Sequence, residues 1–167
     1  MSFMTLSKAR RHVLWPLAVH EAGHVLAARR LAVPVSAATI VADCDSCGHV
    51  THAKANTYSE IMITLTGPRA ERRVDPVGTE SDPALAAEEA EIWGLLPVYA
   101  ADTGLRLDDD RDGDAERHPQ LRELFNAFVR EVERMLTEEW AAIENIALAL
   151  INRKTLSARM IAWADAA

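Results

Sequence analysis

Apolar side chains recur at helical spacing near the start of the chain. From about residue 13 to residue 30 they fall on or near one face, which predicts a helix that ends before Pro34. Residues 35–42 alternate and are rich in β-branched side chains, so they predict a strand. After a turn-rich break, residues 49–53 predict a second strand. The chain is therefore expected to begin with a helix and a small hairpin.

Two further helices are predicted downstream. One covers residues 59–74, and its Gly67-Pro68 pair predicts a kink because proline removes one helical hydrogen-bond donor. The other has Pro83 at its first position, where the missing N–H is harmless, and is predicted to end at Gly94.

The second half of the chain is first acidic and then amphipathic. Residues 105–118 are rich in Asp and predict a solvated loop. From Pro119 the apolar residues recur at helical spacing as far as Leu150, and a short helix is predicted from Ser157. We therefore predict a mainly α fold with a small β-sheet or hairpin.

One domain accounts for the whole length. A chain of 167 residues, of which 49% are hydrophobic, can bury a core of its own. We treat residues 1–167 as a single domain with an N-terminal half at 1–95, an acidic loop region at 96–118 and C-terminal helices at 119–167.

Charge and composition exclude several classes of protein. The formal net charge of −7 argues against nucleic-acid binding, which needs a basic surface. No stretch is long and apolar enough to predict insertion into a membrane. The two cysteines do not make a disulfide framework, and we expect a cytoplasmic location.

One short motif carries chemistry. His20-Glu21-Ala22-Gly23-His24 matches the pattern H-E-x-x-H within a predicted helix. Four residues make just over one turn, so the two imidazoles lie on one face and can bind a single Zn²⁺. Glu21 is placed to take a proton from water at the open metal position. We predict a zinc metallopeptidase site with His20 and His24 as metal ligands and Glu21 as the general base.

A peptidase zinc needs a third protein ligand. The extended pattern H-E-x-x-H-x-x-G-x-x-H is not met, because Ala27 and Arg30 occupy its last two positions. The third ligand must therefore come from elsewhere, and spacing alone does not choose among the acidic residues at or near helix starts. These candidates are Glu60, Glu71, Asp75, Glu80, Asp82, Glu88 and Glu89.

Four segments, in order, resemble the FtsH-type zinc protease domain of the ATP-dependent zinc proteases. They read AVHEAGHVLAARRL, LTGPRAERRV, GTESDPALAAEEAEIWG and VERMLTEEWAAIENIALALINRKTL. The resemblance implies a zincin-like helical bundle and a third zinc ligand at Asp82. It also implies that Glu71 orients a zinc-bound imidazole and that an extended peptide pairs with the strand at residues 47–51.

The chain departs from that family in its energy supply. It contains no G-x-x-x-x-G-K-[ST] loop and no counterpart of the family's N-terminal membrane anchor. We expect a metalloendopeptidase that hydrolyses unfolded or flexible polypeptides without ATP. Two alternatives stay open. One is a metal-binding adaptor that keeps the fold without catalysis, and the other is a protease subunit that needs a separate AAA+ ATPase partner. Assembly into a homo-oligomer also stays open.

Two other patterns carry weaker metal signals. Cys44-x-x-Cys47, with two histidines soon after, is compatible with a small zinc knuckle, although reduced surface thiols are the expectation. Residues 108–113 begin like a calcium loop, but Pro119 stands at the twelfth position, where a bidentate Glu belongs. We expect a solvated acidic loop there.

Overall fold

Most of the chain is helical, and one buried helix lies at its centre. The structure, a computed structural model, describes residues 3–42, 48–78, 83–107 and 118–165. Its helices are α1 (Leu6–Ala9), α2 (Trp15–Arg30), α3 (Thr57–Val74), α4 (Pro83–Asp102), α5 (Pro119–Glu138), α6 (Trp140–Arg153) and α7 (Ala158–Asp165).

A three-stranded antiparallel sheet accompanies the helices. Its strands are β1 (Val35–Thr39), β2 (His49–His52) and β3 (Thr155–Ser157), and their order across the sheet is β2-β1-β3. Ala38 in the central strand lies opposite Val50 of β2 and Leu156 of β3. Strand β2 is therefore at an edge of the sheet, and β1 and β2 both contact α2.

Helix α2 is buried on almost every side. It packs against α3 and α6 as well as the sheet, and small side chains such as Ala18, Ala22 and Ala28 allow these neighbours to approach closely. Its buried residues also include His20 and Glu21, which are polar. A polar group in such a place has a cost unless it is paired or has a function, so the motif helix stands out from the rest of the core.

The predicted fold class is confirmed, since the described residues are mainly helical and carry a small antiparallel sheet. The predicted end of the third helix at Gly94 is wrong, because α4 continues to Asp102. Ile92, Leu96 and Ala100 are spaced four residues apart and are all buried. Their packing outweighs the weak helical propensity of the glycine between them.

The other differences concern the C-terminal region. The amphipathic stretch from Pro119 forms two helices that are separated at Glu139, and β3 precedes the last helix without having been predicted. The helix predicted at residues 59–74 is present as α3, with Pro68 inside it, and the kink at Gly67-Pro68 stays a prediction. In the parts of the chain that the structure describes, no helix is long and apolar enough to cross a membrane.

Candidate metal centre

The two motif histidines face the same point, as the helical spacing predicts. His20 and His24 lie on α2, and their Nε2 atoms are 2.9 Å apart. Their rings meet edge to face, with centroids 4.6 Å apart. Two imidazole nitrogens this close together can share one proton, or they can bind one metal ion.

Glu88 brings a carboxylate oxygen to the same point from α4. Its Oε1 lies 3.1 Å from Nε2 of His20 and 3.8 Å from Nε2 of His24. Among the residues described, these three form a group whose ligand atoms all lie within 4.8 Å of one another. Two imidazole nitrogens and one carboxylate oxygen form a ligand set that suits Zn²⁺. Glu88 is one of the seven candidates that spacing alone could not separate.

Both histidine rings are oriented by contacts on their far side. Nδ1 of His20 lies 2.9 Å from Oε2 of Glu71, and Nδ1 of His24 lies 2.7 Å from the carbonyl oxygen of Ile63. Each acceptor favours a proton on Nδ1, which leaves Nε2 with the lone pair that a metal needs. Both acceptors lie on α3, so the packing of α3 on α2 sets the ring orientations.

Gly67 of α3 lies against the His24 ring. A Cβ atom at this position would overlap Nε2 and Cε1 of that ring. Any other residue would therefore displace a ligand nitrogen. The glycine that the sequence suggested as part of a kink provides the space that the ligand occupies.

Glu21 and Glu88 each keep one oxygen without a partner. Glu21 is only 3% exposed, and its Oε2 and the Oε2 of Glu88 are buried without a hydrogen-bond partner in the described structure. Buried carboxylate oxygens are normally satisfied, so two orphans beside a cluster of ligand atoms need an explanation. A cation, with the water that it carries, would satisfy both, and the residues present therefore fit a divalent metal.

The charge balance of the site supports the same interpretation. Burial alone would lower the pKa of His20, but hydrogen bonds to Glu71 and Glu88 outweigh burial and raise the pKa to about 10. Burial alone would raise the pKa of Glu88, but hydrogen bonds to His20 and His24 lower it to about 2. At neutral pH the metal-free site therefore holds a positive charge on His20 next to the partly buried carboxylates of Glu71 and Glu88, in the place that a metal cation would take.

A cleft of about 250 Å³ opens over these groups. Its floor is formed by His20, Glu21 and His24, one wall is the edge strand β2 with Gly48 before it, and the other wall is formed by α3 and α4. Its described lining is mostly polar, with few apolar side chains beside the histidines and carboxylates. Its lining residues are His20, Glu21, His24, Gly48, His49, Val50, His52, Glu60, Ile63, Thr64, Glu88 and Glu91.

The remaining ligand candidates are placed elsewhere or are outside the described residues. Glu60 lines the cleft but accepts a hydrogen bond from Ala55 N, and Asp75 accepts one from Gly78 N. Glu89 is exposed on α4. The predicted ligand Asp82 and the candidate Glu80 lie in the undescribed stretch 79–82, and Cys44, Cys47 and the acidic loop at 108–117 are likewise outside the described ranges.

The sequence left Glu88 as one of several ligand candidates and gave no sign of the carbonyl of Ile63, and both outcomes have a physical reason. Neither is marked by local spacing, because each reaches the histidines only when α3 packs on the motif helix and α4 packs on α3. A comparison of the chain with protein-family models and with curated proteins found no match.

Proposed function

We propose that this protein is a zinc-dependent metalloendopeptidase that cleaves unfolded or flexible polypeptides and is related in fold to the zincin-like FtsH-type protease domain. One observation carries the proposal. Nε2 of His20, Nε2 of His24 and Oε1 of Glu88 converge, and Glu21, the next residue after a ligand, keeps a buried oxygen without a partner among the described residues. A purely structural ion pair between His20 and Glu88 would not require the second carboxylate, Glu21, to be buried with an unsatisfied oxygen.

Zinc would be held by the two imidazoles and one carboxylate. The described geometry supports Glu88 as the source of that carboxylate, and the family resemblance supports Asp82. When bound, Zn²⁺ lowers the pKa of a coordinated water to about 7 and polarises a carbonyl group. Glu71 and the Ile63 carbonyl hold the rings in place, so the ligand nitrogens need little reorganisation on binding.

Glu21 is the proton carrier in this proposal. Burial raises the pKa of its carboxyl group, so that it holds a proton more readily than an exposed glutamate does. Its Oε2 takes the proton from the attacking water and passes it to the nitrogen of the leaving amine. Water enters as nucleophile, the C–N bond breaks, and the products are a carboxylic acid and an amine.

The substrate class follows from the shape of the cleft. The edge strand β2 lies along one wall, and an edge strand can pair with an extended peptide through its backbone groups whatever the peptide sequence is. A flexible polypeptide can adopt the extended conformation without first unfolding, so a flexible polypeptide is proposed. Activity of the isolated chain without ATP and a cytoplasmic location remain parts of the proposal.

The catalytic role of Glu21 is tested with Glu21→Gln. This change keeps the shape of the side chain but removes its ability to accept a proton, so zinc content should be unchanged and cleavage of a flexible peptide should fall by about 10²-fold or more. Zinc is measured by elemental analysis and turnover with a library of quenched fluorescent peptides, with and without ATP. A zinc-loaded wild-type protein that cleaves no peptide would favour the adaptor, and stimulation of the isolated chain by ATP would contradict an ATP-independent enzyme.

The third ligand is tested with Glu88→Ala and Asp82→Ala. The variant that removes the ligand should weaken zinc binding and abolish cleavage, whereas loss of a helix cap at residue 82 alone should cost only about 1 kcal/mol of stability. Glu91→Ala, one turn after Glu88 on the same wall of the cleft, is the matched control for zinc affinity. Zinc titrations read beside melting curves assign the ligand, and normal zinc binding in both variants would contradict a carboxylate ligand from this part of the chain.

A further inference from the structure

Strand β2 places at the cleft a histidine that has no role in the proposed mechanism. His49 is the first residue of β2, is exposed, and lines the cleft together with His20, Glu21 and His24. It does not belong to the metal-ligating group found among the described residues. It is therefore accessible to a substrate without being committed to the metal.

The backbone beside His49 lies directly against Glu21. A Cβ atom on Gly48 would be only 2.7 Å from Oε1 of Glu21. The absence of a side chain at residue 48 thus lets β2 approach the proton carrier closely. Burial raises the pKa of Glu21, and His49 is one of the groups whose charge opposes that effect, so its ring lies within electrostatic range of the carboxylate.

Few of the other side chains that line the cleft can donate a hydrogen bond. Of the described side chains that line it, those with an N–H or O–H group, apart from the two motif histidines, are His49, His52 and Thr64. Of the two histidines, His49 directly follows Gly48, whose backbone lies against Glu21, whereas the His52 ring lies beside the carbonyl oxygen of Ala53, 2.9 Å from Nδ1, and beside Glu60, 3.8 Å from Nε2. The opposite wall carries Glu88 and Glu91, and carboxylates repel developing negative charge.

We infer that His49 donates a hydrogen bond from its imidazole N–H to the carbonyl oxygen of the scissile peptide group and stabilises the negative charge that develops there. The inference rests on the proposed peptidase function and adds a second catalytic residue to it. A donor aimed at developing charge in a partly enclosed cleft acts more strongly on the transition state than on the bound peptide. It therefore affects kcat more than KM.

Three variants test this role in the zinc-loaded protein. His49→Leu removes the donor at similar volume, and His49→Gln keeps an N–H donor. His52→Gln changes the other histidine of β2, whose ring lies beside Ala53 and Glu60. We expect His49→Leu to lower kcat by about 10²-fold with little change in KM and His49→Gln to recover part of the loss. His52→Gln should have a clearly smaller effect. Zinc affinity should be the same in all four proteins, because His49 is not a ligand.

A second measurement does not depend on turnover. A phosphinic peptide, in which a tetrahedral, negatively charged group replaces the scissile amide, should bind to His49→Leu more weakly than to the wild type, and the parent peptide should bind equally to both. Isothermal titration with the zinc-loaded proteins measures each affinity. The supporting result is a selective loss for the phosphinic peptide that parallels the loss of kcat.

The possible failures are distinguishable. If the wild type cleaves peptides and His49→Leu does so equally well, or if only KM rises, the role of His49 is wrong and the proposed function stands. If His49→Leu loses zinc, or if His52→Gln loses as much activity as His49→Leu, His49 is not a specific donor. If the zinc-loaded wild type neither cleaves peptides nor binds the phosphinic peptide, the proposed function fails and the role of His49 fails with it.

Discussion

Helix α2 and the C-terminal helices α5 and α6 contribute to the same core, but they bury different chemistry. The buried positions of α5 and α6 are all apolar, as in Phe128, Leu136 and Leu150. Helix α2 buries His20 and Glu21 among its alanines and valines. The first region follows the usual rule that burial of apolar surface stabilises the fold, and the second region departs from it.

The difference shows where stability and proposed function are separated in this chain. The C-terminal helices gain stability, and none of their residues lines the described cleft. The motif helix bears the cost of its buried His20 and Glu21. Glu21, and Glu88 of the neighbouring helix α4, each keep a buried oxygen without a hydrogen-bond partner among the described residues. Departures of this kind are expected at functional sites, because a side chain that must act on a ligand cannot also be fully satisfied by the protein.

The largest effect on stability is expected in the C-terminal region. Leu150 of α6 is fully buried, so Leu150→Ala should lower the free energy of unfolding by about 2–5 kcal/mol through lost burial and a residual cavity. The folded fraction should still bind one zinc ion per chain. Urea unfolding of the metal-free protein and zinc titration measure the two effects.

Leu148→Ala is the matched control for this prediction, since Leu148 lies on the same helix and is only partly buried. It should cost clearly less than Leu150→Ala. If Leu150→Ala abolished zinc binding in protein that is still folded, the separation of the two regions would be wrong.

The next effect concerns the orientation of a metal ligand. Glu71→Gln keeps an acceptor near Nδ1 of His20 but removes the negative charge, so zinc affinity should fall by about 10–100-fold. Glu60→Gln, on the same helix and in the cleft but without contact to His20, should leave zinc affinity unchanged. Competition titration with a chelator measures both. Equal affinities in wild type and Glu71→Gln would show that Glu71 does not act on the metal.

The same contrast explains which parts of the structure could be predicted. Helix α5 has a clear amphipathic pattern because only one of its faces is buried, so the sequence was sufficient to predict it. The pair His20 and His24 was equally predictable, because a spacing of four residues on a helix fixes their relation locally. The resemblance to the FtsH-type domain placed Glu71 beside a zinc-bound imidazole, and it lies beside His20.

The unpredicted features all depend on contacts between distant segments. Helix α4 continues beyond Gly94 because Leu96 and Ala100 pack into the core, and no local sequence pattern predicts that packing. Glu88 and Glu89 are adjacent and chemically identical, yet only Glu88 faces His20. Strand β3 has three residues, too few for a periodic pattern, and it forms because β1 is available as a partner.

The smallest expected effect tests the cost of the proposed function directly. Burial raises the pKa of Glu21 above its ordinary value of 4.5. At a pH between the unfolded-state and the folded-state pKa, the folded protein holds a proton on Glu21 that the unfolded chain has released. The contribution of this group to stability therefore falls as the pH rises through this range. Above that range the wild type carries the full cost of a buried carboxylate. Glutamine carries no charge and avoids this cost.

We therefore expect metal-free Glu21→Gln to be more stable than the metal-free wild type by about 1 kcal/mol at neutral pH, with a difference that shrinks toward about pH 4. Urea unfolding of both proteins in the presence of a chelator, across this pH range, measures the difference. Glu91→Gln in the same cleft is the control, and because Glu91 is exposed it should change stability by less than about 0.5 kcal/mol. Since the same Glu21→Gln change should abolish turnover, a gain in stability would mean that this carboxylate is kept for its chemistry. A Glu21→Gln protein that is less stable at every pH would instead make Glu21 part of the structural core, like the apolar residues of α5 and α6.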